Sequence, residues 1–465
     1  MASSSLEPSF PSAYVFLGSN ANPASFQRWC KSKGIFIHPD VAVLVPTKEM
    51  GFGVYAVRSL KKGTTVMSCP RSSAMSPQDK CHPDSPSIEV LSKLGPGELP
   101  KVGVLALRLL AELARPKSPW RSWLEACPLV GPHLLSLPED SWRRFVAARH
   151  LLPDGSPTHT AWNNVAQQLA DLRMKEMYAS ACKVAERHPS VWPSEMIHNT
   201  LLFSQCVAQV LSRNFHREGV VGQEGPYLLP GIDFINHSFT GNVEFVVHGG
   251  GRRHELSFDV VALRDLEKGE QIYYNYGELY DARFLVEFQF VNAVNPFNVI
   301  RFSKETLLSL AHCIPADEGR GIETPQRVDF LSREGLLFDE GILVFIRAAN
   351  AGEEDVEPID PIFWNVMFIL LASREEFEAE RHRVSRHWEC PKPSWLPMYC
   401  REMLRCRKNS IEVNLRELDA ALSNGPSDGS TSTIAPLKLL VPVLQREHHL
   451  LSRVLRCMSA GGEEV

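Results

Sequence analysis

No uncharged run in this 465-residue chain approaches the length of a bilayer span, and its first residues lack a basic segment followed by an apolar one. Neither a membrane protein nor a classical secretory signal is therefore expected. Long basic blocks are missing too. The 49 basic and 54 acidic residues give a formal charge of -5, which disfavours a protein that tracks nucleic-acid phosphates. The short clusters Lys61-Lys62 and Arg252-Arg253 read as solvated turns. The 11 cysteines are odd in number and contain no CxxC pair, which favours a reduced intracellular chain over a disulfide framework. Cys400 and Cys406 have no paired ligands nearby and His448-His449 has no partner motif, so no metal site is expected. A GxSxG elbow, an HExxH pair and a Walker A loop are all absent, and Gly51-Phe52-Gly53 lacks the third glycine of a dinucleotide fingerprint.

What is present is enough apolar sequence, 44%, to bury a sizeable core in two or three domains. The Ser-rich opening MASSSLEPSFPS reads as a tail (residues 1–24), and its first arginine, Arg28, comes too late for a good transit sequence. Alternating and β-branched residues in IFIHPDVAVLVP and MGFGVYAVRSLKKGTTVMSCP predict short twisted strands. From about residue 76 to 211 the periodicity turns helical, as in VGVLALRLLAELAR and IHNTLLFSQCVAQVLSRNF. Within the latter, Asn199 and Thr200 are weak points. The strand pattern returns in PYLLPGIDFINHS, NVEFVVHG and the segment ending QIYYNYG. A β unit whose halves are separated by a helical insertion accounts for that return. After residue 300 helices dominate, with FWNVMFILLASREEFEAERHRVSRHW predicted as one long helix. An acidic loop (351–360) and a Gly/Ser-rich loop (425–433) interrupt this part.

Four short segments carry chemistry, and each has two readings. Met50-Gly51-Phe52-Gly53 either relaxes a β-turn or lets bare backbone approach a ligand. Arg213, in Ser212-Arg213-Asn214-Phe215, is either a helix-end cation favoured by the dipole or a clamp for a carboxylate. Asp233-Phe234-Ile235-Asn236-His237-Ser238 is either a self-bonded turn or the polar lining of a pocket between apolar stretches. Tyr273-Tyr274-Asn275-Tyr276-Gly277 is either a packed aromatic strand or a place where a phenol orients an amine.

Taken in order, GxG, SRxF, DxxNHS and a late YG resemble the SET-domain protein methyltransferases, in particular the branch of the plant Rubisco large-subunit lysine methyltransferase. The resemblance covers roughly residues 25–300. It implies an α+β fold, a twisted β-rich SET domain split by a helical insertion at about 76–211, followed by a mostly helical substrate-binding domain (301–465). It implies S-adenosyl-L-methionine as cofactor, held by Met50, Gly51, Phe52, Gly53, Arg213, Asn236 and His237, with Tyr276 as the catalytic tyrosine. Tyr273, Phe288 and Phe290 are expected on the substrate side, and Asp233 as a structural residue behind the site. One departure stands out: relatives often carry a YGF here, whereas this chain has Phe288-Gln289-Phe290.

The expected activity is methylation of a lysine in a non-histone protein, such as a ribosomal protein or translation factor, by a monomer in the cytoplasm or nucleus. Organellar targeting, direct nucleic-acid binding and membrane association are not expected. A protein-histidine methyltransferase and a catalytically weak SET-scaffold binding protein are the alternatives.

Overall fold

The computed structural model describes residues 22–337, except 49, 78–81, 83–84, 128–133, 138, 147, 152–156, 161–162, 216–224, 250–255 and 303–323, and residues 359–460, except 360, 386 and 425–433. The Ser-rich opening, Arg252-Arg253, most of the acidic loop and the Gly/Ser-rich loop lie outside the described residues. The chain divides into two compact units, Met1–Gly131 with Lys175–Glu278, and Pro132–Met174 with Leu279–Val465.

In the first unit the short β-branched segments form β1 (Phe36–Ile37), β2 (Val41–Pro46), β3 (Phe52–Ala56) and β4 (Thr65–Pro70). Strands β5 (Ala148–Leu151) and β6 (Pro157–Thr160) pair antiparallel in the second unit. Back in the first unit follow β7 (Asn214–Phe215), β8 (Tyr227–Leu228), β9 (Asn236–His237), β10 (Val243–His248), β11 (Ser257–Ala262) and β12 (Gln271–Tyr274). The main sheet runs β1-β4-β11-β10-β12-β3-β2, with β9 also beside β12. Strand β11 shows the alternation expected of a strand with one buried face: Phe258, Val260 and Ala262 are buried. This is the α+β, helix-interrupted β architecture anticipated from the strand and helix patterns.

At β12 the sheet is mixed. Strand β12 runs antiparallel to β3, pairing Gln271 with Tyr55 and Ile272 with Val54, and parallel to both β9 and β10. The chain leaving β9 passes directly over β12. A Cβ on Gly241 would lie 2.9 Å from Asn275 N, 3.1 Å from Tyr273 O and 3.2 Å from the Tyr274 carbonyl carbon. These are backbone atoms that cannot swing aside, so only glycine fits. Next to it, buried Asn242 acts as a strand surrogate: its side chain accepts from Tyr273 N (2.8 Å) and donates to Gln271 O (2.9 Å).

Helices Lys101–Ala114 and Thr200–Arg213 form part of the same unit. The predicted weak point at Asn199-Thr200 is a real break. The Asn199 side chain accepts from Leu202 N at 3.0 Å, so it caps Thr200–Arg213 and ends a short turn at Ser194–Ile197.

The second unit contains the helices Pro361–Leu371, Arg374–Glu380, Trp395–Asn424 and Leu440–Ala460. The single long helix predicted from residue 363 onward is divided at Ala372–Ser373. Ser373 and Glu376 form a capping box, with Ser373 Oγ accepting from Glu376 N and Glu376 Oε2 accepting from Ser373 N. Segment 132–174 joins these helices through Asn164. Its N–H donates to Glu447 Oε2 (3.0 Å), and its Oδ1 accepts from Arg407 Nη2 (3.0 Å) and Arg301 N (2.8 Å). Buried Arg407 also pairs with Glu447 and lies over the Phe302 ring at 4.6 Å.

Gln289, in the departing Phe288-Gln289-Phe290 segment, adopts φ 66°, ψ 27°, the left-handed region that favours glycine. Its Nε2 is buried without a hydrogen-bond partner. The side chain therefore carries both backbone strain and an unsatisfied donor. Gln289→Gly is expected to raise stability by about 1 kcal/mol in urea unfolding; equal or lower stability would refute the strain.

Candidate active site

The four segments singled out above all contribute to the first unit, and three of them meet at β12. Strand β9 brings Asn236 beside Tyr273 and His237 beside Tyr274. Along the same edge β12 meets β3, which carries Phe52 and Gly53. The Asn236 Nδ2 donates to Phe52 O at 3.0 Å, so the NHS segment holds the GxG segment in place.

The two glycines serve different needs. Gly51 has φ +68° with nothing within 4 Å of an added Cβ, so the turn itself requires it. At Gly53 the requirement is space. A Cβ would fall 2.7 Å from Gln271 Nε2, 3.0 Å from Thr47 Cγ2 and 3.2 Å from Asn236 Nδ2. Met50 is exposed, and its N–H donates to Thr47 Oγ1 at 2.9 Å. Bare, braced backbone at this edge suits the close approach of a ligand.

Arg213 ends the helix Thr200–Arg213 and reaches Asp233. Its Nη1 donates to Asp233 O (2.9 Å) and Oδ2 (3.1 Å), and the guanidinium lies 5.1 Å over the Phe234 ring. Asp233 also accepts from Trp123 Nε1 (3.0 Å) on Oδ2 and from Gly231 N (2.9 Å) on Oδ1. Burial pushes its carboxyl upward, while Arg213 and these donors pull it back. Trp123 was not foreseen as part of the site. It sits on a helix 110 residues earlier, and nothing in its local pattern marks it.

Tyr276 is held at both ends. Its hydroxyl donates to Ile235 O (2.8 Å) and its backbone N–H to His237 Nδ1 (3.1 Å). Burial raises the phenol above its usual range, so it stays protonated. Ring contacts continue from Tyr276 to His237 (5.2 Å) and Tyr274 (6.2 Å), and from Tyr274 to Phe215 (6.2 Å) and Phe245 (6.3 Å). Phe245 lies outside the four segments, and Phe215 and Tyr274, though inside them, carried no expected role. Strand alternation puts Tyr274 on the face of Tyr276, whereas Tyr273 points to the opposite face, where its hydroxyl donates to Gln271 Oε1 (2.8 Å). In the second unit, Phe288 and Phe290 pack with Phe284, at 5.8 and 5.2 Å.

Comparison with known proteins accords with this geometry. Residues 51–277 match the SET domain family. The chain is 25% identical over 382 residues to the N-lysine methyltransferase SETD6 of Bos taurus, covering 78% of this chain and 77% of that one. It is 26% identical over 266 residues to the actin-histidine N-methyltransferase of Xenopus tropicalis, covering 56% and 41%. The fold is shared with the structure of Rubisco LSMT bound to AdoMet, with TM-score 0.60 and 13% identity over 94% of this chain and 92% of that one.

Residues 51–277 thus carry a SET domain, and the likeness to curated relatives supports methyltransferase activity. The chain is similar in fold to Rubisco LSMT and in sequence to the SETD6 lysine methyltransferases. That Rubisco LSMT structure holds AdoMet, and the groups present here would suit such a ligand: a bare glycine edge, a cation held by Asp233, and aromatic faces of the kind that accommodate a sulfonium.

Burial lowers His237 from 6.5 to about 4, and the ring remains neutral with Nδ1 as an acceptor. In the unfolded chain this histidine titrates near 6.5, so between those values the unfolded state binds the extra proton. Its contribution is thus present above about pH 6.5 and lost as pH falls towards 4, on the order of 3 kcal/mol. His237→Asn, which keeps an acceptor for Tyr276 N–H, is expected to flatten the fall in stability across this window. Parallel pH profiles in urea unfolding would contradict the assignment.

Proposed function

We propose that this protein methylates a lysine side chain of a non-histone protein, with Tyr276 as the catalytic residue. The observation that carries this reading is the convergence of the GxG strand, the Asn236–His237 strand and the Tyr276 segment on one strand, β12. A SET domain of residues 25–300, with its insertion at about 76–211, works with a substrate-binding domain of 301–465.

When bound, the cofactor supplies a methyl group already activated on a sulfonium. The backbone from Met50 to Gly53, braced by Asn236, holds it along the bare glycine edge. Arg213, aimed by Asp233, meets the methionine carboxylate. His237 fixes the backbone of Tyr276 and completes the cofactor side. Tyr276 orients the incoming amine, and its protonated hydroxyl adds polar stabilisation where charge shifts. Tyr274, Phe215 and Phe245 supply an aromatic surface that disfavours an ammonium by desolvation and offers ring faces to cationic methyl groups. Phe288 and Phe290 serve the substrate side.

The substrate is an abundant protein such as a ribosomal protein or translation factor, met by a monomeric enzyme in the cytoplasm or nucleus. A histidine acceptor is the second reading, favoured by the likeness to the actin-histidine methyltransferase.

The purified protein, incubated with labelled S-adenosylmethionine and an extract from cells lacking it, is expected to mark a discrete lysine. A marked histidine selects the second reading, and cofactor binding without transfer selects a binding protein. On the identified substrate, Tyr276→Phe is expected to lower transfer at least tenfold while cofactor affinity is kept; undiminished transfer removes its role. Arg213→Ala is expected to weaken cofactor binding by roughly 10–100-fold, and unchanged affinity in calorimetry would rule out the clamp.

A further inference from the structure

We propose that Gln271 is a positioning residue that sets the cofactor-holding Gly51–Gly53 backbone, with Tyr55 and Tyr273 locking its side chain; this rests on the methyltransferase reading. The regular pairing of β12 with β3 covers Gln271–Tyr55 and Ile272–Val54, and from Tyr273 onward β12 pairs with β9. Gly53 lies where the partners change. Two side-chain amides fill that place, Asn236 Nδ2 and Gln271 Nε2, at 3.2 and 2.7 Å from where a Gly53 Cβ would be.

The other end of the Gln271 amide is tied down. Its Oε1 accepts from Tyr55 Oη at 2.7 Å and from Tyr273 Oη at 2.8 Å. An amide oxygen has two lone pairs, and the two hydroxyls use both. That fixes the side-chain torsions and leaves the NH₂ group facing Gly53. Nε2 is buried without a hydrogen-bond partner, an arrangement that costs stability. The tyrosine locks hold it there, against the strand whose carbonyl at Phe52 is also gripped by Asn236.

Tyr273 thus acts from the face of β12 opposite Tyr276. Its phenol is pushed upward by burial and by the neighbouring Tyr55, so it remains a donor to Gln271.

The test is the dissociation constant of S-adenosylhomocysteine, measured by calorimetry on the full chain, together with the melting temperature of the unliganded protein. Gln271→Leu removes the acceptor for both hydroxyls and is expected to weaken binding roughly fivefold or more, the size of one or two lost hydrogen bonds. Tyr55→Phe with Tyr273→Phe is expected to do the same. Gln271→Glu keeps an acceptor for both phenols and should bind within about twofold of the unaltered protein. Unchanged affinity in Gln271→Leu and in the double tyrosine variant, with only the melting temperature lowered, would make the cluster structural and overturn the proposal. Loss in Gln271→Glu equal to that in Gln271→Leu would overturn the locking by hydroxyls. Failure of the unaltered protein to bind S-adenosylhomocysteine would overturn the methyltransferase reading and this proposal together, a result separate from the first two.

Discussion

The active-site unit depends on a chain crossing. Residues Gly241 and Asn242 lie over β12 so closely that three backbone atoms stand within 3.2 Å of a Gly241 Cβ, and the Asn242 side chain supplies the bonds a neighbouring strand would have made. Because of that crossing, one edge of β12 pairs parallel with β10 while the other edge is shared by antiparallel β3 and parallel β9. Segments near positions 52, 236 and 276 become immediate neighbours although the helical insertion separates the first from the others. Without the glycine, the crossing would have to open, and Tyr276 would lose its fixed relation to Ile235 and His237.

Buried ion pairs reinforce each unit from within. In the first unit the fully buried Asp233 carboxylate gathers Arg213, Trp123 and the Gly231 N–H. In the second, Arg407 and Glu447 gather Asn164 and the Arg301 backbone, and Asp281 takes Arg446 and Asn295. Such pairs gain little net stability over apolar packing, but removing one partner leaves a buried charge and costs about 3–5 kcal/mol. Their effect is to make alternative packings expensive. In the role proposed for Arg213 this would have a chemical use, since a guanidinium with a fixed anchor on Nη1 loses less side-chain entropy when it engages an anion.

The sequence made the types of parts legible and left their pairing obscure. Strands, the helical insertion and the four motifs follow from local pattern, because periodicity and glycine placement act over a few residues. Asn199 was visible as a weak point in a helix, and its role as a cap follows from the same side-chain chemistry. The Ser373–Glu376 box was equally local, but the apolar run before it masked the break. What local pattern could not reach is long-range: the docking of Asn164 onto Glu447 is 283 residues distant, and Trp123 meets Asp233 across 110. The aromatic strand shows the same limit at close quarters. Tyr273 and Tyr274 are indistinguishable by composition, and only the register of β12 against β9 decides which shares a face with Tyr276.

That register also bears on where the substrate proton goes. The polar groups nearest Tyr276 are all committed. Its own hydroxyl is kept protonated by burial and donates to Ile235 O. His237 Nδ1 accepts the Tyr276 N–H, and lowering of the ring to about 4 makes it a poor proton acceptor near neutrality. Asp233 is saturated by donors from three directions. None of these groups can act as a general base without giving up a contact that holds the site together. In the proposed transfer the amine must therefore reach the methyl group already neutral, with its proton released to water beforehand, and the aromatic surface of Tyr274, Phe215 and Phe245 would favour that neutral form by withholding solvation from the ammonium. On that proposal base catalysis is replaced by desolvation and alignment, which is sufficient when the leaving group is a sulfonium.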